Sequence, residues 1–474
     1  MKKKYVMSLI AIVLMISIVL LGMSRLSRPV SANQRTTIVF WHSMGGKPAD
    51  ALKKLVATYN ASQTKYTVVP QYQGAYTESL PKYINVANSS AAPAIVQAQE
   101  IATSTMLSTK STEPVSRLLD SQVINQIEDN IARYYTVDNQ LQSLPFNSST
   151  PVLYYNKSLV EKLGLKPLPE DPSYQDILNL AQAITEKTNH QTKGMTIEAY
   201  GWLFEELTAN QNQLLANHDN GRESGQYATK ININTPAARR LMTFMKQAIQ
   251  DKSFVSYGSG DIAEANQQTA FLAGKLGMFM QSSASTGDLQ ANAKFKLGVT
   301  YVPHADDIAR NGLTLGGASL WVNKHQTTAT KEGVTDFLKF MSSAQSQAQW
   351  QLATGYLAVN KNAKALPQVT SAIAKDPNLG VATKQLETSK KNSVTAGPLV
   401  PILPIERTNV ETAMQSIVNG ANIEKSLQTA EDATNKALHP IIRQITCRNE
   451  RKIYDKNCTS WRLSASARKY ACSL

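Results

Sequence analysis

Cysteine is almost missing from this chain. The 474 residues contain three, at 447, 458 and 472, and none earlier. A disulfide framework in the body is therefore excluded, and so is a lipid tether on a cysteine that follows the leader. The spacing of the three fits no zinc pattern. Charge is also sparse, at 18% of residues, and the net +14 is concentrated at the ends. Residues 1–32 contribute +5 and 447–474 another +5, leaving +4 for everything between. No basic stripe able to neutralise many phosphates exists, so nucleic acid is not an expected partner. With 23 glycines and 19 prolines, collagen-like and wholesale disordered compositions are excluded. A mean hydropathy of −0.27 excludes a polytopic membrane protein.

There is one long apolar run. Lys2, Lys3 and Lys4 precede the uncharged stretch Tyr5–Met23, and Val30-Ser31-Ala32 follows. This reads as an export signal cleaved after Ala32. Its length approaches the roughly 20 residues that span a bilayer, so an uncleaved N-terminal anchor is the alternative. Both place the body outside the cytoplasm, in a periplasm or on the outer face of the membrane. N-terminal sequencing decides between them: a start at Asn33 means cleavage.

Catalytic and cofactor motifs are missing too. The six histidines are scattered and form no H-E-x-x-H pair, and neither a G-x-S-x-G elbow nor a P-loop occurs. Gly258-Ser259-Gly260 with Ala263 imitates a dinucleotide fingerprint, but Ser283 stands where an acid is required, so a helix-leading turn is the better reading. No cofactor and no metal are expected.

What is present is an alternation of strand and helix patterns. Thr37–Trp41, Tyr66–Val69 and Ala94–Val96 read as strands. Leu52, Leu55, Val56 and Tyr59 mark an intervening helix, as do Leu80, Tyr83, Ile84 and Ala87. A second series starts at Val152–Tyr155, with helices over 174–187, 236–250 and 262–273 and strands at 275–280, 296–302 and 318–322. Helices over 329–341, 343–353, 407–418 and 424–444 follow. The fold class is α/β, with two lobes. Crossings near Pro145, near Pro303 and after Tyr356 give a first lobe of 36–145 plus 304–356 and a second of 146–303 plus 357–445. Residues 446–474 form an atypical basic tail, either irregular with incidental cysteines or foreign to the evolved domain. Truncation after Thr446 is expected to leave folding and binding intact.

Four clusters of small, hydroxyl and aromatic residues interrupt this rhythm: FWHSMGG at 40–46, PFNSSTPVLYYNK at 145–157, GGASLWV at 316–322 and TGYLAV at 354–359. Ligands in α/β sheets sit beyond the carboxyl ends of strands, where such residues expose N–H and hydroxyl groups.

On these clusters the chain, from about Thr36 to Ile445, resembles the extracellular solute-binding proteins of ABC importers, family 1, and within it the branch that binds glycerophosphates. The tail has no counterpart there. The resemblance implies a type II periplasmic-binding-protein fold with a hinge and an interlobe ligand cleft. It implies ligand contacts at Tyr76, Glu100 (to glycerol hydroxyls), Ser149, Trp202, Ser282, Gly317, Tyr356 and Arg407 (to phosphate). A second family tryptophan falls on Ala199. Each residue also has a bland reading: packing for Tyr76 and Trp202, a helix cap for Glu100, turns for Ser149 and Ser282, a surface position for Arg407. The implied protein is no enzyme. It is a monomeric subunit that captures a small glycerophosphate-type molecule and hands it to ABC permease membrane subunits. A sugar or oligosaccharide receptor of the same fold is the alternative, and a secreted phosphodiester or glycan hydrolase the rival from another class.

Overall fold

The computed structural model describes residues 35–457. The expectations for residues 1–32, Cys458 and Cys472 lie outside them.

In chain order, β1 (Thr36–His42), β2 (Tyr66–Tyr72), β3 (Ile95–Gln99), β4 (Thr112–Glu113) and β5 (Leu144–Pro145) come first. Next come β6 (Pro151–Asn156), β7 (Lys193–Thr196), β8 (Leu276–Ser282) and β9 (Leu297–Thr300), which build a sheet of their own in the order β9-β6-β8-β7. Finally β10 (Ala318–Asn323) returns to the first sheet, whose order is β2-β1-β3-β10-β4, with β5 also paired to β10. β1 runs parallel to β2 and β3, while β10 lies antiparallel to β3. β6 pairs antiparallel with both β8 and β9.

β6 shows why the two halves cohere. All six of its residues are buried. Side chains alternate across a strand. Leu153 and Tyr155 accordingly enter one apolar core, and Val152 and Tyr154 enter another shared with Ile38, Phe40 and Ile95 of the first sheet.

Helices follow their local signals. α1 (Gly46–Ser62) buries Ala51, Leu52, Leu55, Val56 and Tyr59, the spacing read from sequence. α2 (Tyr76–Val86) carries Pro81. α3 (Asp129–Tyr135) is short. α4 (Tyr174–Lys187) starts at a reciprocal Ser173/Asp176 capping box. α5 (Gly201–Ala209) has all nine residues buried. α6 (Pro236–Gln250) is capped by Thr235 with proline in its first turn. α7 (Gly260–Leu272), α8 (Thr328–Ser342) and α9 (Ala344–Thr354) follow, and the last ends at Gly355 with φ +79°. α10 (Val381–Glu387), α11 (Leu403–Val418) and α12 (Ile423–Asn457) come last, and shorter helices lie between the labelled ones.

Two readings are corrected. α12 runs past the expected end at 444 to Asn457, so the start of the tail is helical rather than irregular. The segments around β7 and α5 carry regular structure that periodicity does not reveal.

Candidate binding cleft

The carboxyl ends of β3, β7 and β8 and the segments that join the sheets converge on one place. Its centre is an ion-pair cluster. Arg407, on α11, donates from Nε to Glu205 Oε1 (2.6 Å) and from one terminal nitrogen to Glu205 Oε2 (2.9 Å), a fork-to-fork pair. The same nitrogen donates to Glu100 Oε1 at 2.9 Å. All three residues are buried. Gly201 allows this approach, because a Cβ there would lie 2.5 Å from the Arg407 side chain.

Glu100 follows β3 directly, and its N–H donates to the Gly317 carbonyl at 3.0 Å. Its Oε2 is buried without a partner. Glu205 and Glu206 come from α5. Glu206 accepts from the Thr314 N–H with one oxygen and has no partner for the other, and Glu406, beside Arg407, is buried against Glu205. Burial pushes the Glu100 carboxyl up to about 7, against the pull of Arg407 and with the push of Glu205. Burial likewise raises Glu206 to about 8, and Glu406 is held well above the ordinary range by burial and the Glu205 charge. Burial works against the charged form of Arg407, but Glu205 and Glu100 hold its proton firmly.

A second network positions hydroxyls. Gln97 donates to Asn147 Oδ1 (2.7 Å), and Asn147 Nδ2 donates to the Tyr76 hydroxyl oxygen (2.9 Å). With its oxygen accepting from Asn147, Tyr76 has its own proton to give elsewhere. Tyr356 also neighbours Asn147 and stacks on Trp350 at 5.7 Å and 7°. Ser149 and Gly316 exchange both backbone hydrogen bonds, at 2.9 and 3.0 Å. Gly317, next in line, has φ +107°.

Trp202 packs its indole against Gly316 and leaves its buried Nε1 without a partner. Ala199 is buried and offers no ring, but Tyr200 lies 5.7 Å from the Trp202 ring and fills the neighbouring position. Ser282 Oγ accepts from the Ala284 N–H and so caps the short 3-10 turn after β8. Arg407 is not the surface residue of its bland reading, whereas Glu100 does open a short 3-10 turn that leads into a helix at Thr103–Ser108, with no side-chain capping bond. Two of the three Arg407 nitrogens are already committed to Glu205 and Glu100, so a ligand reaches this guanidinium only through the third.

Sequence reasoning missed Glu205, Glu206, Glu406, Asn147 and Tyr200. Of these only Asn147 sits in one of the four clusters. Among the described residues no group of three or more His, Cys, Asp or Glu is arranged to hold a metal ion.

The raised carboxyls predict a pH dependence. A carboxyl that keeps its proton to higher pH when folded gives the folded state the larger number of bound protons. Stability is then fullest below the ordinary carboxylate range and falls as pH rises towards 8. Thermal unfolding at pH 5 and pH 8 should show the lower midpoint at pH 8, and Glu206→Gln should flatten the upper part of that trend. A variant with the wild-type slope would remove Glu206 from this account.

A family profile described as bacterial extracellular solute-binding protein matches residues 54–380. The sn-glycerol-3-phosphate-binding periplasmic protein UgpB of Yersinia enterocolitica is 31% identical over 415 residues, covering 85% of this chain and 92% of that protein. UgpB of Escherichia coli K12 is 30% identical over 419 residues, covering 86% and 94%. Among solved structures, UgpB from Mycobacterium tuberculosis in complex with glycerophosphocholine superposes with a TM-score of 0.72 at 19% identity, covering 86% of this chain and 99% of that one. The GacH receptor of Streptomyces glaucescens, solved unliganded and with acarbose, gives 0.71 at 20% identity with the same coverage. The fold is the two-lobed one of these binding proteins, and the chain belongs to the bacterial extracellular solute-binding proteins.

Proposed function

We propose that the protein is the exported solute-binding subunit of an ABC importer and captures glycerol-3-phosphate or a glycerophosphodiester between its lobes. The observation that carries this reading is the Glu100–Arg407 hydrogen bond. It joins the loop after a strand of one sheet to a helix packed with the other. Relatives named for glycerol-3-phosphate, similar over most of their length, support it. Delivery to permease subunits follows from the family, and a monomer suffices for the site.

The cluster's charge sets the ligand's orientation. Arg407 already faces two glutamates, so a phosphate placed on it meets carboxylates at close range. Glycerol hydroxyls suit this end, donating to Glu100 Oε2 and accepting from the guanidinium. The phosphate then falls to neutral donors: the Tyr76 and Tyr356 hydroxyls, Ser149, Ser282 and the backbone at Gly317. Trp202 and Tyr200 supply an apolar wall. Lys47 and Asp288 form an exposed ion pair between α1 and the short helix Thr286–Asn292. Exposed pairs contribute at most about 1 kcal/mol, so Lys47→Ala should change affinity less than about fivefold in calorimetry.

The committed state of Arg407 and the acidic surroundings also suit a sugar, which makes a maltodextrin receptor the second reading. Calorimetric titration separates the two. Glycerol-3-phosphate or glycerophosphocholine should bind at least about a hundredfold more tightly than maltotriose, a gap of about 2.7 kcal/mol. Binding of maltotriose alone would overturn the glycerophosphate assignment and leave the family intact.

A further inference from the structure

Arg407 lies along one face of α5. Gly201 and Glu205 are four residues apart, hence neighbours on that helix surface. The stem of the arginine passes Gly201, where an added Cβ would lie 2.5 Å from its Cβ and Cγ, and its head group ends on Glu205. Both Glu205 oxygens are spent on the arginine, so the effect of this glutamate on a ligand passes through the guanidinium.

A guanidinium grips phosphate best with two parallel N–H groups, and it has two edges that can supply them. Glu205 covers the edge made by Nε and one terminal nitrogen, at 2.6 and 2.9 Å. The other edge shares that terminal nitrogen, which Glu100 also engages at 2.9 Å. The second terminal nitrogen bonds no protein group among the described residues, and the side chain keeps 7% of its surface exposed. A single donor is thus left for a ligand. Charge is spent in the same way. Burial holds the carboxyls of Glu100, Glu206 and Glu406 above the ordinary range. Glu205, with two short bonds, is then the counter-ion of Arg407, and the pair brings no net charge to the cleft.

We propose that Glu205 sets the charge selectivity of the cleft, as a positioning residue that acts through Arg407. It withholds from the ligand both the two-pronged grip and the positive charge that a doubly charged phosphate would use. The site then favours a phosphodiester, with one negative charge, over a monoester, which carries about −1.5 to −2 at neutral pH. This inference rests on the glycerophosphate reading above.

Calorimetric titration of the full chain at pH 7 with glycerol-3-phosphate and glycerophosphoglycerol tests it. Both ligands present a glycerol end, and they differ in phosphate charge. The diester should bind the wild type at least about tenfold more tightly than the monoester. Glu205→Gln keeps an acceptor for Nε but removes the charge, and it should move that ratio towards the monoester by at least about tenfold. Glu205→Asp keeps the charge and should keep the wild-type preference. A residue with a structural role alone would weaken both ligands in proportion. An unchanged ratio in Glu205→Gln, or a wild type that binds the monoester as tightly as the diester, overturns the role of Glu205 and leaves the glycerophosphate reading standing. A wild type that binds neither ligand overturns that reading, and this inference with it.

Discussion

Arg407→Ala is expected to abolish calorimetrically measurable ligand binding and to destabilise the protein by about 3–5 kcal/mol, the usual penalty when one partner of a buried ion pair is removed. The arginine is the one cation bonded to Glu205 and Glu100, both buried. Without it, both buried glutamates lose their ion-pair partner, and Glu100, already raised to about 7 beside the guanidinium, is pushed further towards its protonated form. Arg407→Lys keeps the charge but cannot reproduce two parallel bonds to Glu205, so it should recover only part of either loss. The double variant Arg407→Met with Glu205→Leu separates the two effects. Replacing both partners by apolar groups of similar volume should return much of the stability while binding stays absent. Thermal unfolding and titration of the same samples provide the check. A wild-type unfolding midpoint in Arg407→Ala would show that the carboxylates do not depend on the guanidinium.

Gly317→Ala should be nearly as damaging. With φ at +107°, the residue occupies backbone space that a side chain resists, and an added Cβ would collide with the Asn147 carbonyl oxygen. Neither strand can yield easily, since Glu100 N–H bonds the Gly317 carbonyl and Ser149 bonds Gly316. Overpacking of this kind costs about 1–3 kcal/mol before the backbone strain is added. Displacement of Asn147 should also release the Tyr76 hydroxyl and weaken ligand binding. Gly287→Ala is the control, because nothing lies within 4 Å of the place its Cβ would take and it sits in the helix Thr286–Asn292, where alanine is favoured over glycine. It should be no less stable than wild type in denaturant unfolding. Equal stabilities for Gly317→Ala and Gly287→Ala would sink the argument.

The legibility of this chain follows contrast. α4 and α6 are bounded correctly from sequence because each sets an apolar stripe against a polar face and carries a cap at its start. α5 has no such contrast. Both of its glutamates are buried along with the other seven residues, and a helix buried all round has no period to detect. β7 fails for a different reason, as four residues including a lysine and a glycine fall short of a strand signature. The cleft is half visible. Family motifs point to Glu100 and Arg407, but no local pattern says that Glu205 closes the fork on Arg407, because that depends on how α5 and α11 pack. Asn147 lies in plain view among hydroxyl residues, yet nothing in its neighbours separates an amide that aims a tyrosine from one that shapes a turn. Tyr200, whose ring lies 5.7 Å from that of Trp202, has no local pattern that marks it as a cleft residue.

The crossing segments have a mechanical consequence. Phe146 bonds Ala318, Ser149 bonds Gly316, and Leu357 bonds Ser148, so the strands that join the halves are stitched side by side. A ribbon of this kind bends and twists readily but resists shear, since sliding one strand past the next would break several bonds at once. Whatever swing the halves make is therefore confined to nearly one degree of freedom. Sideways displacement of one half against the other would have to break these bonds, which keeps Glu100 in register with Arg407.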